Sequence, residues 1–152
     1  MKYAYKNLFD LSGKTAIVTG GLGMLGRRFC QGFAEFGANV AVVDLNGSEA
    51  DQYAVQLANE FGIKAHGIEC DVADPGSVQE MMQAVVERFG QVHILHNNAA
   101  SKSANLDAFF AAFEDYSLDE WRKIMAVNID GMFLMAQAAG KQLLHLNIGD
   151  PL

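Results

Sequence analysis

The chain has 152 residues, 51% hydrophobic and 19% charged, with a formal net charge of −7. That length supports one domain with a real core, and an acidic chain without a basic run argues against nucleic acid or an anionic membrane surface as partner. No stretch is long enough to span a bilayer, and residues 1–10 lack the apolar centre of a signal peptide, so the cytoplasm is the expected location. Cys30 and Cys70 then read as buried thiols rather than a disulfide.

Residues 1–13 form a mixed leader expected on the surface. Lys14-Thr15-Ala16-Ile17-Val18 is short, apolar and β-branched, the signature of a buried strand. Thr19-Gly20-Gly21-Leu22-Gly23-Met24-Leu25-Gly26 follows, then a helix over about residues 25–36 that Gly37 can end. A second strand is expected over about 39–44. Asn46-Gly47-Ser48 reads as a turn, and Ser48 as the cap of a helix running to Phe61 and Gly62. The third strand is expected over about 64–70, followed by the loop Asp71-Val72-Ala73-Asp74-Pro75-Gly76. Ser77 and Glu80 form a capping box for a third helix to Phe89 and Gly90. Three helices thus end in Phe-Gly, the pattern of a left-handed glycine cap.

A fourth strand, about 92–96, leads into Asn97-Asn98-Ala99-Ala100. A long loop over 101–116 follows. Its Phe109, Phe110 and Phe113 are expected to pack on the core, with covering of a substrate as the alternative. Ser117 and Glu120 make another capping box, opening a long helix from Leu118 to about Leu144. Leu146-Asn147-Ile148-Gly149 reads as the start of a fifth strand.

Strand and helix alternate throughout, which predicts a parallel sheet covered on both faces. Right-handed crossovers order its strands 3-2-1-4, and a ligand belongs at their carboxyl ends. Thr19, Asp44, Asp71 and Asn97 all fall at such ends. Glycines between a strand and a helix let the backbone approach a ligand, and the helix start offers unpaired N–H groups to an anion. Asp44 lies at the distance where an acid accepts hydrogen bonds from an adenosine ribose. It would repel the extra phosphate of NADP, which predicts NAD as cofactor.

Four motifs in this order resemble the short-chain dehydrogenase/reductase family over about residues 7–147: the Thr19–Gly26 turn, Asp71-Val72, Asn97-Asn98-Ala99-Ala100, and Val127-Asn128-Ile129-Asp130-Gly131. The resemblance implies a Rossmann-type doubly wound parallel α/β sheet, truncated here after about four strands, as a single NAD(P)-binding domain over residues 1–152. It implies that Gly20, Gly23, Met24, Leu25 and Gly26 hold a pyrophosphate, that Asp71 bonds the adenine amino group and that Val72 packs on the ring. Asn98 and Ala99 would line the nicotinamide-side ribose, and Thr19 would pin the turn to the strand-four segment. Asn128 matches the asparagine of the family's catalytic set, which kinks its helix and positions a proton-relay water.

Two features depart from the family pattern. The spacing Gly20, Gly23, Gly26 is more like the extended branch, which includes sugar-nucleotide epimerases and dehydratases. The family's catalytic Tyr-x-x-x-Lys is missing, since Tyr3, Tyr5, Tyr53 and Tyr116 are followed four positions on by Asn7, Phe9, Leu57 and Glu120. The resulting expectation is the amino-terminal, cofactor-binding part of an NAD-dependent oxidoreductase of an alcohol or carbonyl, inactive as this chain alone. Its leader resembles those of members acting on sugars and polyols, and a full-length form would be a homo-oligomer. An epimerase or dehydratase, and a non-catalytic nucleotide-binding module, are the alternatives. His93 and His96 fall on opposite faces of a strand and cannot share a metal, His66 and His145 have no ligand partner at suitable spacing, and Lys102 reads as solvent-exposed. No metal site is expected.

Overall fold

The computed structural model describes residues 8–102 and 105–147, the last three by backbone alone. All five residues of β1 (Thr15–Thr19) and the four central residues of β2 (Asn39–Asp44) are buried, as expected of strands covered on both faces in a parallel sheet. With β3 (Ala65–Glu69) and β4 (Ile94–His96) they form one parallel sheet in the order β3-β2-β1-β4. This is the order that strand–helix alternation predicts. The connections are α1 (Met24–Glu35), α2 (Gly47–Phe61) and α3 (Pro75–Phe89).

Successive side chains of β2 point to opposite faces and divide the core in two. Val40 and Val42 join Val18, Cys30, Ala34, Tyr53 and Leu57 on the side of α1 and α2. Ala41 and Val43 join Ile17, Met81, Val85 and Met135 on the other side. Both cysteines are buried and free.

The helix ends follow the sequence pattern at one terminus and depart from it at the other. Gly37, Gly62 and Gly90, each just beyond a phenylalanine, take φ of 89°, 69° and 82°. At the amino ends, Asn46 rather than Ser48 caps α2, accepting from the Glu49 N–H at 3.2 Å. Asp74 caps α3, accepting from the N–H groups of Gly76 (3.4 Å) and Ser77 (2.9 Å). Pro75 explains that start: it disfavours helical backbone at Asp74, leaving it extended as a cap must be, and itself fits the first helical position. Ser77 lies inside the helix and its Oγ accepts from the Asp71 N–H at 3.0 Å. Ser117 does precede a helix, α5 (Leu118–Met125), but makes no capping bond with its side chain.

Between β4 and α5 lie the short α4 (Leu106–Phe109), capped by Asn105, and a 3-10 turn at Phe113–Asp115. Here the packing expectation fails: Phe110 is 76% exposed and Phe113 92%. Phe109, the last residue of α4, is half-buried, and Phe110 just beyond it meets its ring edge-on at 5.1 Å. The long helix runs without a gap to Asn147, but its pitch changes in the middle: α5 passes into a π-helical turn at Ala126–Gly131 and then into α6 (Met132–Asn147). Leu146 and Asn147 therefore continue a helix built from strong formers such as Lys141, Gln142, Leu143 and Leu144, and no strand begins there. Ile148 and Gly149 lie outside the described residues, as do Tyr3, Tyr5 and the rest of residues 1–7. Among the described residues no helix is long and apolar enough to cross a membrane.

Candidate functional site

The carboxyl ends of β1 and β4 lie side by side, where the strand order reverses, and the glycine-rich turn fills the gap. Gly20 has φ of +62°, and a Cβ there would come within 2.9 Å of the Ala99 Cα. A Cβ on Gly26 would collide with the Gly20 carbonyl oxygen. The Gly23 N–H bonds the Gly20 carbonyl at 3.1 Å, closing the turn. Gly23 then caps α1 with no side chain of its own, and the first turn of α1 carries no acid. The N–H groups of Met24, Leu25 and Gly26 have no acceptor within a helix that starts there.

Side chains from three strand ends hold this turn. The Thr19 Oγ1 accepts from the N–H groups of Asn98 and Ala99, each at 3.0 Å. The Asn98 Nδ2 donates back to the carbonyls of Thr19 (2.9 Å) and Gly20 (3.0 Å). Asp44 accepts from the Leu22 N–H (3.0 Å) with one oxygen and from the Leu45 N–H (2.9 Å) with the other. At the end of β3, the Asp71 Oδ1 accepts from the Ala73 N–H at 2.9 Å.

These elements surround an open cleft of about 690 Å³. It brings together Gly20, Gly23, Met24, Leu25, Gly26, Asp44, Asp71, Val72, Asn98 and Ala99. Thr19 stands behind the cleft wall as its brace, buried to 1% exposure. Asn128 is outside the lining. It sits in the π-turn, where its Oδ1 accepts from the Ser101 N–H (2.7 Å) and its Nδ2 donates to the Ser101 carbonyl (3.0 Å). Ser101 does line the cleft, so Asn128 reaches it through that loop. Asn128 thus falls within a π-helical turn, and such turns recur at functional sites.

The lining also contains Leu22, Ala100 and Val127 from the quoted motifs, and Leu45, Asn46 and Glu49 after β2, Cys70 before Asp71, and Ser101, to which the sequence reading gave no cofactor role. The signal for the second group was position, since each ends or follows a strand whose end was already marked. The cleft is lined by three carboxylates, Asp44, Glu49 and Asp71, and by no lysine or arginine. No other described group offers acid–base chemistry at the cleft. Burial pushes the Cys70 thiol up and the Cys30 thiol up to about 12, which leaves both unreactive. Burial likewise pushes the Tyr53 phenol up to about 12, and its hydroxyl is spent on the Arg27 carbonyl at 2.9 Å. Of the two histidines near strand four, only His96 lies within β4, and the two have different partners. The His93 Nδ1 accepts from the Thr15 N–H at 3.0 Å, while His96 packs against Phe29 and Phe33.

A parallel sheet in this order, with a glycine turn and a cleft at the point where the order reverses, is a Rossmann-type doubly wound α/β fold. Sequence comparison then fixes the family. Residues 14–150 match the short chain dehydrogenase family, and the chain belongs to it. It is 42% identical over 142 residues to D-threitol dehydrogenase of Mycolicibacterium smegmatis, covering 93% of this chain and 52% of that protein. It is 32% identical over 145 residues to L-rhamnose 1-dehydrogenase (NADP(+)) of Thermoplasma acidophilum, covering 93% and 53%. Among solved structures it resembles an NAD+-bound xylitol dehydrogenase, with a TM-score of 0.81 and 29% identity over 91% of this chain and 51% of that one. The chain thus spans about half the length of the curated relatives it matches.

Proposed function

We propose that this chain is the cofactor-binding part of an NAD-dependent oxidoreductase acting on the alcohol or carbonyl group of a sugar- or polyol-like molecule. The observation that carries the reading is the cleft itself: a glycine turn, a helix start with unpaired N–H groups, and a carboxylate at the end of β2 on one wall. In this reading the backbone at Gly20, Gly23, Met24, Leu25 and Gly26 receives the pyrophosphate. Asp44 accepts the ribose hydroxyls, and keeps its two backbone bonds through its remaining lone pairs. Asp71 takes the adenine amino group, Val72 the ring face, and Asn98 and Ala99 the second ribose. A bound nicotinamide supplies hydride transfer.

The residues suit the cofactor on the chain's own geometry, because Gly20 packs on the Ala99 backbone and Gly26 on the Gly20 carbonyl, which draws the turn and the start of α1 together backbone to backbone, and Gly23 puts no side chain at the helix start. The preference for NAD rests on charge: three lining carboxylates and no lining cation disfavour the additional phosphate of NADP. The relatives do not decide this, since one is described with NADP+ and another was solved with NAD+. The sugar or polyol substrate is supported by the names of those relatives, which act on threitol, rhamnose and xylitol. Asn128 acts as a positioning residue, holding the Ser101 loop against the π-turn. In a longer form the protein is a cytoplasmic homo-oligomer.

No tyrosine in the sequence has a lysine four positions on, so the 152-residue chain alone is expected to bind NADH and reduce no carbonyl. Purified chain titrated with NADH and NADPH, then assayed against aldoses and ketoses, tests both halves. Tighter binding of NADPH would sink the cofactor assignment. Robust turnover, with contaminating enzymes excluded, would overturn the assignment of roles.

A further inference from the structure

Arg27 is the cation in the first turn of α1, directly after the last glycine of the turn, yet it is absent from the cleft lining. Its guanidinium is held from several directions. The Nε donates to the Leu22 carbonyl at 3.0 Å, the Nη2 pairs with the Glu49 Oε1 at 2.8 Å, and the Cζ lies 4.4 Å over the Tyr53 ring. Glu49 is itself held: its second oxygen accepts from the Asn46 Nδ2 at 3.3 Å, and its N–H bonds the Asn46 Oδ1. Glu49 lines the cleft beside Asp44, Leu45 and Asn46, on the wall where β2 ends.

We infer that Glu49 is a second determinant of cofactor choice, acting with Asp44 through its hold on Arg27. The inference rests on the dinucleotide reading of the cleft. Glu49 does two things there. It places a second carboxylate near the ribose end of the site, where the phosphate of NADP would bring about two more negative charges. It also engages in an ion pair a guanidinium whose planar fork suits phosphate and which lies outside the cleft lining. Both effects act against NADP, and neither requires Glu49 to touch NAD. Asp44 repels the phosphate, and Glu49 withholds the group that would offset that repulsion.

The test is calorimetric titration of the 152-residue chain with NAD+ and NADP+. The Glu49→Gln change is nearly isosteric, its site is half-exposed, and the backbone bond to Asn46 remains, so the helix cap survives. The ratio of NADP+ to NAD+ affinity is expected to rise about ten-fold in this variant. Adding Arg27→Gln should remove most of the gain, because the cation whose charge Glu49 no longer neutralises is then gone. Arg27→Gln alone should lower the ratio, since it leaves the Glu49 charge uncompensated. An unchanged ratio in Glu49→Gln with NAD+ still bound overturns the inference, as does an equal gain with and without Arg27. Failure of the unmodified chain to bind either nucleotide would instead overturn the dinucleotide reading on which it rests.

Discussion

The two ends of the sheet's carboxyl edge are built differently. Around β1, α1 and β2, all of β1 and the four central residues of β2 are buried, and the turn is fixed by Gly26 against the Gly20 backbone and by the Asp44 carboxylate on the Leu22 N–H. Around β4, α5 and α6, the strand has three residues, all half-buried, and its outer edge has no neighbour among the described residues. The helices there expose large apolar side chains, including Trp121, Ile129, Met132, Phe133 and Leu144. The first region carries the glycine turn and most of the cleft lining. The second exposes apolar surface of the kind that takes up contacts from elsewhere. The difference sets most of the cleft in the part of the molecule whose strands are most deeply buried.

The largest expected effect comes from breaking the rigid region. Gly26→Ala puts a Cβ into the Gly20 carbonyl, with backbone on both sides and no flexible side chain to yield. The turn must shift, which should destabilise the fold by about 3 kcal/mol or more and abolish nucleotide binding. Thermal melting with and without NADH reads both, and an unchanged melt would show that the turn is looser than described.

A second change sharpens the contrast from the other side. Ile129 and Phe133 are 58% and 63% exposed on the π-turn and the start of α6. β4 adds an open strand edge, a template for association. The chain is therefore expected to self-associate, and Ile129→Ser with Phe133→Ser should weaken that association about ten-fold or more at little expense in stability. Sedimentation would check it; a chain that is monomeric at high concentration before any substitution would contradict the description of this region.

The seam between the regions offers the smallest effect. The His93 Nδ1 accepts from the Thr15 N–H, which requires an unprotonated nitrogen. Burial, and then the Lys14 charge, hold His93 below the ordinary histidine value of 6.5. Its contribution is thus fully present above pH 6.5 and is lost as the pH falls below that value toward the folded-state pKa. The loss should be less than about 1 kcal/mol, because the ring is only partly buried. Urea melts between pH 7.5 and 5 should show this decline, and His93→Gln should flatten it.

The rigid region was also the legible one. The alternation of Val40, Val42 against Ala41, Val43, the Phe-Gly helix ends and the strand-end positions of Asp44 and Asp71 are local signals, each set by a residue and its near neighbours. What the sequence hid was mostly decided by competition. Ser48 and Ser77 looked like caps, but Asn46 and Asp74 stood two and three residues earlier and took the position, while Ser117 holds its cap position without a capping side-chain bond. The exposure of Phe110 and Phe113 depends on where a four-residue helix stops. The π-turn at Asn128 needs Ser101, 27 residues away, to fix it. Glu49 matters only once Arg27 is seen to pair with it, across 22 residues.

The central claim is that the cleft at the ends of β1, β2 and β4 receives NAD. Amide resonances of the isotope-labelled chain, followed during titration with NAD+, test it most directly. The account predicts saturable shifts at Gly20–Gly26, Asp44, Asp71–Val72 and Asn98–Ala99. It predicts none in the separate groove of about 500 Å³ between α3 and α6, lined by Val78, Met82 and Leu134. Shifts confined to that groove, or no shifts at saturating nucleotide, would contradict it.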